Sequence, residues 1–142
     1  MIAYLDTSAL VKLFVMEVGS RTLRALIERF AASATSVIAY AEARAAFARR
    51  HRERTLSSAQ YQRVVAEFEE RWETLLGVEA SMPVIRVAGT LAERHSLRGF
   101  DAIHLASGLD LQTRLPEPIT FCCADARLNA AAAAEGLKVE AV

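Results

Sequence analysis

The first fourteen residues, MIAYLDTSALVKLF (residues 1–14), contain the pattern that decides the fold. Ile2–Leu5 is a short apolar run of the kind that forms a buried strand. Asp6, Thr7 and Ser8 follow it with side chains that favour the start of a helix. A buried strand that passes directly into a helix is typical of α/β proteins with a parallel sheet. The stretch therefore predicts a first strand, a first helix that runs through Leu13, and a carboxylate at their junction.

The rest of the chain repeats this alternation of strands and helices. Further strands are predicted at Ala34–Ser36, Pro83–Val87, Ile119–Cys123 and Lys138–Glu140. Further helices are predicted at Arg21–Phe30, about Val37–His51, a stretch from Leu56 with an apolar stripe ending at Leu76, Thr90–His95, Ala102–Leu111 and Ala126–Glu135. The alternation predicts an α/β fold in which helices cover both faces of a parallel sheet.

Length and composition predict one domain over residues 1–142. Hydrophobic residues make up 53% of the chain, which is ample for a core, and charged residues make up 24%. The formal net charge is zero, so any attraction for nucleic acid must come from a local patch. No uncharged stretch approaches the roughly 18 residues of a membrane span, and the N-terminus lacks the basic segment of a signal peptide. Adjacent Cys122 and Cys123 suggest buried, reduced thiols, so we expect a cytoplasmic protein without a membrane partner.

The chain contains only four aspartates, and three of them occur where a strand or a turn gives way to a helix. These three are Asp6, Asp101 and Asp125; the fourth is Asp110. In an open α/β sheet, the ends of the strands and the following helix starts share one edge, where ligands bind. The alternative is that each aspartate only caps a helix, since aspartate is favoured at that position.

Glu42 is harder to explain as a structural residue. It falls inside a predicted helix, where capping does not apply, and its neighbours three and four residues away are Ile38, Ala39, Ala45 and Ala46. A carboxylate on such an apolar face is unusual for a solvated glutamate. The alternative is an ion pair with Arg49 at the margin of the face.

A cluster of four carboxylates predicts a site for a divalent cation. Carboxylates that converge repel one another, and burial raises their pKa values further, so the cluster needs a counter-charge. Mg²⁺ and Mn²⁺ prefer such oxygen ligands, whereas no paired Cys or His has the spacing of a zinc site. One or two such ions next to a phosphate would favour hydrolysis of a phosphodiester bond. We therefore predict that Asp6, Glu42, Asp101 and Asp125 are catalytic residues that bind the metal.

Three polar side chains near these acids are predicted to support them rather than to react. Thr7 and Ser8 follow Asp6 and have no histidine nearby in sequence to activate them, so capping or support of the acids is expected. His104 lies three residues after Asp101, and we expect it to orient that carboxylate or to pack in the core. A role as a general base is the alternative.

These acids stand in motifs that resemble those of PIN-domain proteins, and the best match is to the VapC-like toxins of bacterial toxin–antitoxin pairs. The matching segments are Leu5–Leu10, Glu42 within its helix, Leu97–Ala106 and Ala124–Leu128, in the family's order along nearly the whole chain. The resemblance implies a three-layer sandwich around a central, mainly parallel sheet of four or five strands.

The resemblance also carries expectations about function. It implies an endoribonuclease that depends on one or two Mg²⁺ or Mn²⁺ ions, in which Asp6, Glu42 and Asp101 match the three core acids and Asp125 the more variable fourth. It implies a homodimer that a cognate antitoxin protein silences. Arg44, Arg49 and Arg50 continue the Glu42 helix and are predicted to contact RNA phosphates, unless they only complement the helix dipole at a solvated end.

Two other classes of protein remain as alternatives. A PIN fold could serve as an interaction scaffold without turnover, although the intact set of four acids argues against it. A receiver-like regulatory module needs a lysine after a late strand, and neither Lys12 nor Lys138 has that position. A phosphatase of the haloacid-dehalogenase type needs a carboxylate where Ser8 stands.

Overall fold

The computed structural model describes all 142 residues as one five-stranded parallel sheet with seven helices. The strands are β1 (Ile2–Leu5), β2 (Ala32–Ser36), β3 (Leu76–Val78), β4 (Ile119–Cys123) and β5 (Lys138–Ala141), in the order β3-β2-β1-β4-β5. The helices are α1 (Thr7–Lys12), α2 (Ser20–Ile27), α3 (Ala39–Arg52), α4 (Ser58–Trp72), α5 (Met82–His95), α6 (Gly99–Arg114) and α7 (Ala126–Ala134). Every strand pair is parallel, as the alternation predicted. No helix combines the length and the apolar character that crossing a membrane requires.

The central strand β1 separates two hydrophobic cores because its side chains alternate between the faces of the sheet. Ile2 and Tyr4 pack on the face covered by α5, α6 and α7, while Ala3 and Leu5 pack on the face covered by α1 to α4. The two faces give cores of 18 and 13 buried residues. The predicted three-layer sandwich is therefore confirmed.

The register of the two central strands brings the first and the last predicted acids to the same edge. Leu5 at the end of β1 pairs with Cys122 near the end of β4, so both strands stop at one level. Asp6 then caps α1 by accepting a hydrogen bond from the amide of Ala9 at 2.9 Å. Asp125 caps α7 in the same way, through the amide of Leu128 at 2.9 Å. Both residues are helix caps, and this local role fixes where their carboxylates point.

The predicted strand at Pro83–Val87 is wrong, because this segment is the first part of helix α5. Pro83 stands in the first turn of the helix, where its missing N–H costs nothing. The buried side chains of the helix are Val84, Ala88 and Leu91, which recur at helical spacing. The β-branched residues of this segment are typical of a strand. The buried positions continue beyond Val87 at helical spacing, however, and this longer apolar stripe favours a helix.

Strand β3 has no counterpart among the predicted strands, because the sequence places its first residue, Leu76, at the end of the apolar stripe of the preceding helix. Helix α4 stops at Trp72, and Leu76–Val78 forms a three-residue edge strand beside β2. Leu76 is 42% exposed, so its apolar side chain does not continue the buried stripe. The stripe itself, which includes Tyr61, Val64 and Phe68, packs into the core as predicted.

Helix α6 lies unusually close to the sheet, and a glycine permits this approach. A Cβ atom on Gly108 would come within 3.1 Å of the Phe121 ring on β4. The close packing fixes the first turns of α6, which carry Asp101 and His104, against the central strands.

Candidate metal centre

The structure places the four predicted acids around the edge where the parallel strands end. Asp6 follows β1, Asp125 follows β4, Glu42 is in the first turn of α3 and Asp101 is in the first turn of α6. The charges of Asp6 and Asp125 both raise the pKa of Asp101, so these three carboxylates interact through space. Glu42 joins the group through the side chain of Thr7, next to Asp6 in the chain.

Asp6 is the most buried of the four acids and is held by three donors. It is only 4% exposed. The Ser8 hydroxyl lies 2.7 and 2.9 Å from its two oxygens, and the Cys123 thiol donates to Oδ2 at 3.1 Å, in addition to the Ala9 amide. The Ser8 oxygen also accepts from the amide of Ala124 at 3.2 Å. Ser8 therefore ties the Asp6 carboxylate to the loop that carries Asp125.

Glu42 is held by a hydroxyl and an imidazole. Thr7 Oγ1 donates to its Oε1 at 2.6 Å, and His104 Nε2 lies 3.0 Å from the same oxygen. Tyr4 extends this series of hydrogen bonds, because its hydroxyl lies 2.9 Å from His104 Nδ1. A neutral imidazole satisfies both contacts when Nδ1 accepts from Tyr4 and Nε2–H donates to Glu42.

These contacts determine the ionisation of Glu42. Burial raises the pKa of a carboxyl group, but the hydrogen bonds from His104 and Thr7 outweigh it, and the pKa of Glu42 lies below its ordinary value. His104 was expected to orient Asp101 or to pack in the core; it is buried, and its hydrogen bonds go to Glu42, Thr7 and Tyr4 rather than to Asp101. The alternative ion pair of Glu42 with Arg49 does not form either, since Arg49 pairs with Glu53 at 2.9 Å.

The pKa of Asp101 is shifted in the opposite direction to that of Glu42. It is half-buried and forms no hydrogen bond or ion pair through its carboxylate. Burial raises its pKa above the ordinary value, and the charges of Asp6 and Asp125 raise it further, while His104 and Arg98 offset this only in part. A cation bound beside this carboxylate would offset the cost of ionising it.

We expect Asp101→Asn to stabilise the metal-free protein as the pH rises. The raised folded-state pKa means that Asp101 contributes stability below its unfolded pKa and loses this contribution as the pH rises through the folded value. Asparagine carries no such penalty. In EDTA, the melting temperature of the variant should rise relative to that of the wild type between about pH 4 and about pH 7. If the melting temperature of the wild type rises relative to that of the variant instead, Asp101 ionises easily in the folded protein.

The donor set fits a hard divalent cation in its chemistry, and binding requires some rearrangement. The four acids offer only oxygen atoms, as Mg²⁺ and Mn²⁺ prefer. In the positions described, no three His, Cys, Asp or Glu side chains converge closely enough to hold an ion. The Asp101 carboxylate makes no hydrogen bond, and the exposed Asp125 uses one carboxylate oxygen to cap α7 and leaves the other without a hydrogen bond.

The three arginines that were predicted to contact RNA are all engaged with glutamates. The ion pairs are Arg44–Glu69 at 2.6 Å, Arg49–Glu53 at 2.9 Å and Arg50–Glu17. Their charges are therefore balanced within the protein, and contact with a phosphate would have to replace these pairs.

Sequence reasoning missed four residues that adjoin the acids. Tyr4 and Cys123 were assigned only to buried strands, although Tyr4 contacts His104 and Cys123 contacts Asp6. Two arginines line a cavity of about 420 Å³ together with Asp101 and Asp125. These are Arg98 and Arg127. Each arginine is only two or three residues from one of the two aspartates, and this short separation could have indicated that the arginines lie beside the acids.

The fold and the acids agree with a known family. Residues 3–115 match the family model of the PIN domain, and the chain belongs to the PIN-domain family. The matched stretch contains Asp6, Glu42 and Asp101, whereas Asp125 lies beyond it.

Within this family the chain is VapC-like. It is 37% identical over 139 residues to Ribonuclease VapC45 of Mycobacterium tuberculosis (strain CDC 1551 / Oshkosh), which covers 97% of this chain and 94% of that protein. Solved structures with the same fold include VapBC-1 from nontypeable Haemophilus influenzae, with a TM-score of 0.68, 15% identity and coverage of 99% and 98% of the two chains. VapBC2 from Rickettsia felis, bound to a DNA fragment from its promoter, gives a TM-score of 0.67 at 14% identity over 100% and 99%.

Proposed function

We propose that this protein is a metal-dependent endoribonuclease and the toxin of a toxin–antitoxin pair, acting in the cytoplasm on RNA. The observation that carries the proposal is the cluster of four carboxylates at one sheet edge, where Asp101 has no partner and is costly to ionise. The similarity of the chain to Ribonuclease VapC45 over nearly its whole length supports RNA as the substrate.

Each acid has a distinct part in this proposal. When bound, Mg²⁺ or Mn²⁺ would supply positive charge at the scissile phosphate and would lower the pKa of the attacking water. Asp6 is held rigidly by Ser8, the Ala9 amide and Cys123, so it defines the position of the site. Glu42 is kept ionised by Thr7 and His104.

The remaining two acids make fewer hydrogen bonds than Asp6 and Glu42. Asp101 and Asp125 line the open cavity, and neither carboxylate has an ion-pair partner. Asp101 can therefore turn towards a cation and a phosphate, whereas Asp125 would offer the carboxylate oxygen that does not cap α7. Asp6 and Glu42 would hold the cation with side chains that are already fixed by hydrogen bonds, and Asp101 would adjust to it.

The test of the proposal compares labelled single-stranded RNA with DNA of the same sequence in the presence of Mn²⁺. We expect cleavage of the RNA at internal positions and little or no cleavage of the DNA, because the 2′-hydroxyl lets a protein distinguish the two. Equal cleavage of both would replace the ribonuclease proposal with a general nuclease. Binding of Mn²⁺ without any cleavage would favour the interaction scaffold.

Thr7→Val should weaken Mn²⁺ binding by about 10- to 100-fold, the usual effect of removing a group that orients a metal ligand. The variant loses the 2.6 Å hydrogen bond to Glu42 with little change in volume. Calorimetric titration with Mn²⁺ measures the effect. Thr7→Ser keeps the hydroxyl and should retain most of the affinity, whereas a loss in Thr7→Ser but not in Thr7→Val would point to packing around the methyl group.

We also propose an antitoxin as the protein partner, and a homodimer as the free form. The antitoxin is supported by the similar structures, which include VapBC-1 and a toxin–antitoxin complex from Klebsiella pneumoniae. An apolar cavity of about 580 Å³, lined partly by Leu13, Phe14, Ile27 and Phe30, offers a place for an apolar helix face of that partner.

A further inference from the structure

The cavity of about 420 Å³ beside the acids contains two of the protein's unpaired cations. Asp101 and Asp125 line it, and so do Arg98, at the residue before α6, and Arg127, near the start of α7. Both arginines are exposed. Neither lies within 4.0 Å of a carboxylate, and the only hydrogen bond from either side chain is a 3.4 Å contact from Arg127 to the carbonyl of Ser96.

An RNA strand needs such cations at this edge. The chain has no net charge, and four carboxylates repel a phosphate that approaches them. Three of the four arginines of α3, namely Arg44, Arg49 and Arg50, are paired with glutamates. Arg98 and Arg127 are free to form the two parallel hydrogen bonds that a guanidinium makes with a phosphate. They therefore supply a local attraction that the rest of the site lacks.

An exposed aromatic side chain stands on the same turn of α6. Phe100 is 60% exposed, between Arg98 and Asp101 in sequence, and it is among the few large apolar side chains left open to solvent. Aromatic rings in this setting stack on unpaired RNA bases, which gives affinity with little dependence on salt.

We propose that Arg98 and Arg127 bind phosphates of a single-stranded RNA segment that lies in this cavity, and that Phe100 stacks on one of its bases. The inference rests on the proposed ribonuclease function and identifies how the substrate strand is held. It moves the RNA contacts from the α3 arginines to the N-terminal ends of α6 and α7, next to Asp101 and Asp125.

The test is the affinity of the full chain for a labelled single-stranded RNA in EDTA, measured by fluorescence anisotropy at several salt concentrations. Arg98→Gln with Arg127→Gln should weaken binding at least tenfold and reduce the slope of log affinity against log salt by about 1.4, or roughly 0.7 for each lost phosphate contact. Phe100→Ala should weaken binding by about 5- to 150-fold without changing the slope.

A matched control removes two other exposed arginines that have no ion pair, Arg63 and Arg86. Arg63→Gln with Arg86→Gln loses the same charge and should leave the slope unchanged. An equal change in the control would mean that only net charge matters and would overturn the proposal. If the salt slope decreases in Arg49→Gln with Arg50→Gln but not in Arg98→Gln with Arg127→Gln, the RNA contacts α3 instead and the proposal is overturned.

Two further readouts separate this inference from the proposed function. Cleavage of RNA by the wild type in Mn²⁺, together with unchanged affinity in the Arg98 and Arg127 variant, overturns the inference alone. Failure of the wild type both to bind and to cleave RNA overturns the ribonuclease proposal and the inference with it. Loss of self-association in the variants, with RNA affinity intact, would assign the surface to a protein interface and contradict the proposal.

Discussion

Asp101→Asn is expected to lower Mn²⁺-dependent RNA cleavage by on the order of 100- to 1000-fold, equivalent to several kcal/mol of lost stabilisation of the transition state. Asp101 is the acid whose ionisation is disfavoured by burial and by its neighbours Asp6 and Asp125. A bound cation offsets that cost, and asparagine cannot replace the negative charge that the cation needs. The measurement is the rate of cleavage of a labelled RNA by each purified protein under single-turnover conditions.

Asp110→Asn is the matched control for this experiment. Asp110 is on the same helix but pairs with Arg114 at 2.9 Å and does not line the cavity beside the acids. We expect its rate to stay within about twofold of the wild type, because Asp110 pairs with Arg114 away from the acids and would not contact the cation or the RNA. If Asp101→Asn cleaves as fast as Asp110→Asn, the acid cluster is not the active site.

Phe68→Ala is expected to cost about 3–5 kcal/mol of unfolding free energy, the usual loss when a fully buried phenylalanine is truncated. Phe68 is fully buried on α4, with its ring centroid 5.4 Å from that of Phe47 and 5.5 Å from that of Phe14. The rings of Tyr40 and Trp72 complete the cluster. Alanine would leave a cavity where α1, α3 and α4 meet, and the first two of these helices carry Thr7 and Glu42.

Urea unfolding followed by circular dichroism measures this loss as a shift in the transition midpoint. Phe100→Ala removes an equally large but exposed ring and should change the free energy by less than about 0.5 kcal/mol. Similar losses in the two variants would contradict the packing of the α4 core. A large loss in Phe68→Ala also predicts weaker metal binding, since the helix that holds Glu42 would be less well fixed.

The local signals in the sequence were sufficient for the central strands and for two acids. Ile2–Leu5 and Ile119–Cys123 are short apolar runs followed by capping residues, and such a pattern specifies both the strand and the helix start without help from the rest of the chain. Asp6 and Asp125 could therefore be placed at one edge by sequence alone. The boundary of α4 could not, because an edge strand of three residues is formed by its pairing with β2.

The contacts within the site depend on residues that are far apart in the chain. His104 and Glu42 are 62 positions apart, and Tyr4 and His104 are 100 apart. Proximity in sequence suggested Asp101 as the partner of His104, whereas the packing of α6 on the sheet turned the imidazole towards β1 and α3. The ion pairs of Arg44 and Arg50 likewise join residues 25 and 33 positions apart, so a basic run in the sequence did not indicate free charge.

The most direct test of the central claim is removal and return of the metal. Purified wild-type protein is assayed on labelled RNA in Mn²⁺, then in excess EDTA, and again after dialysis and re-addition of Mn²⁺ or Mg²⁺. We predict that cleavage disappears with EDTA and returns with the metal, because the carboxylates require a cation to act on a phosphate. Cleavage that continues at the same rate in excess EDTA would contradict the account and show that these four acids do not form a metal-dependent nuclease site.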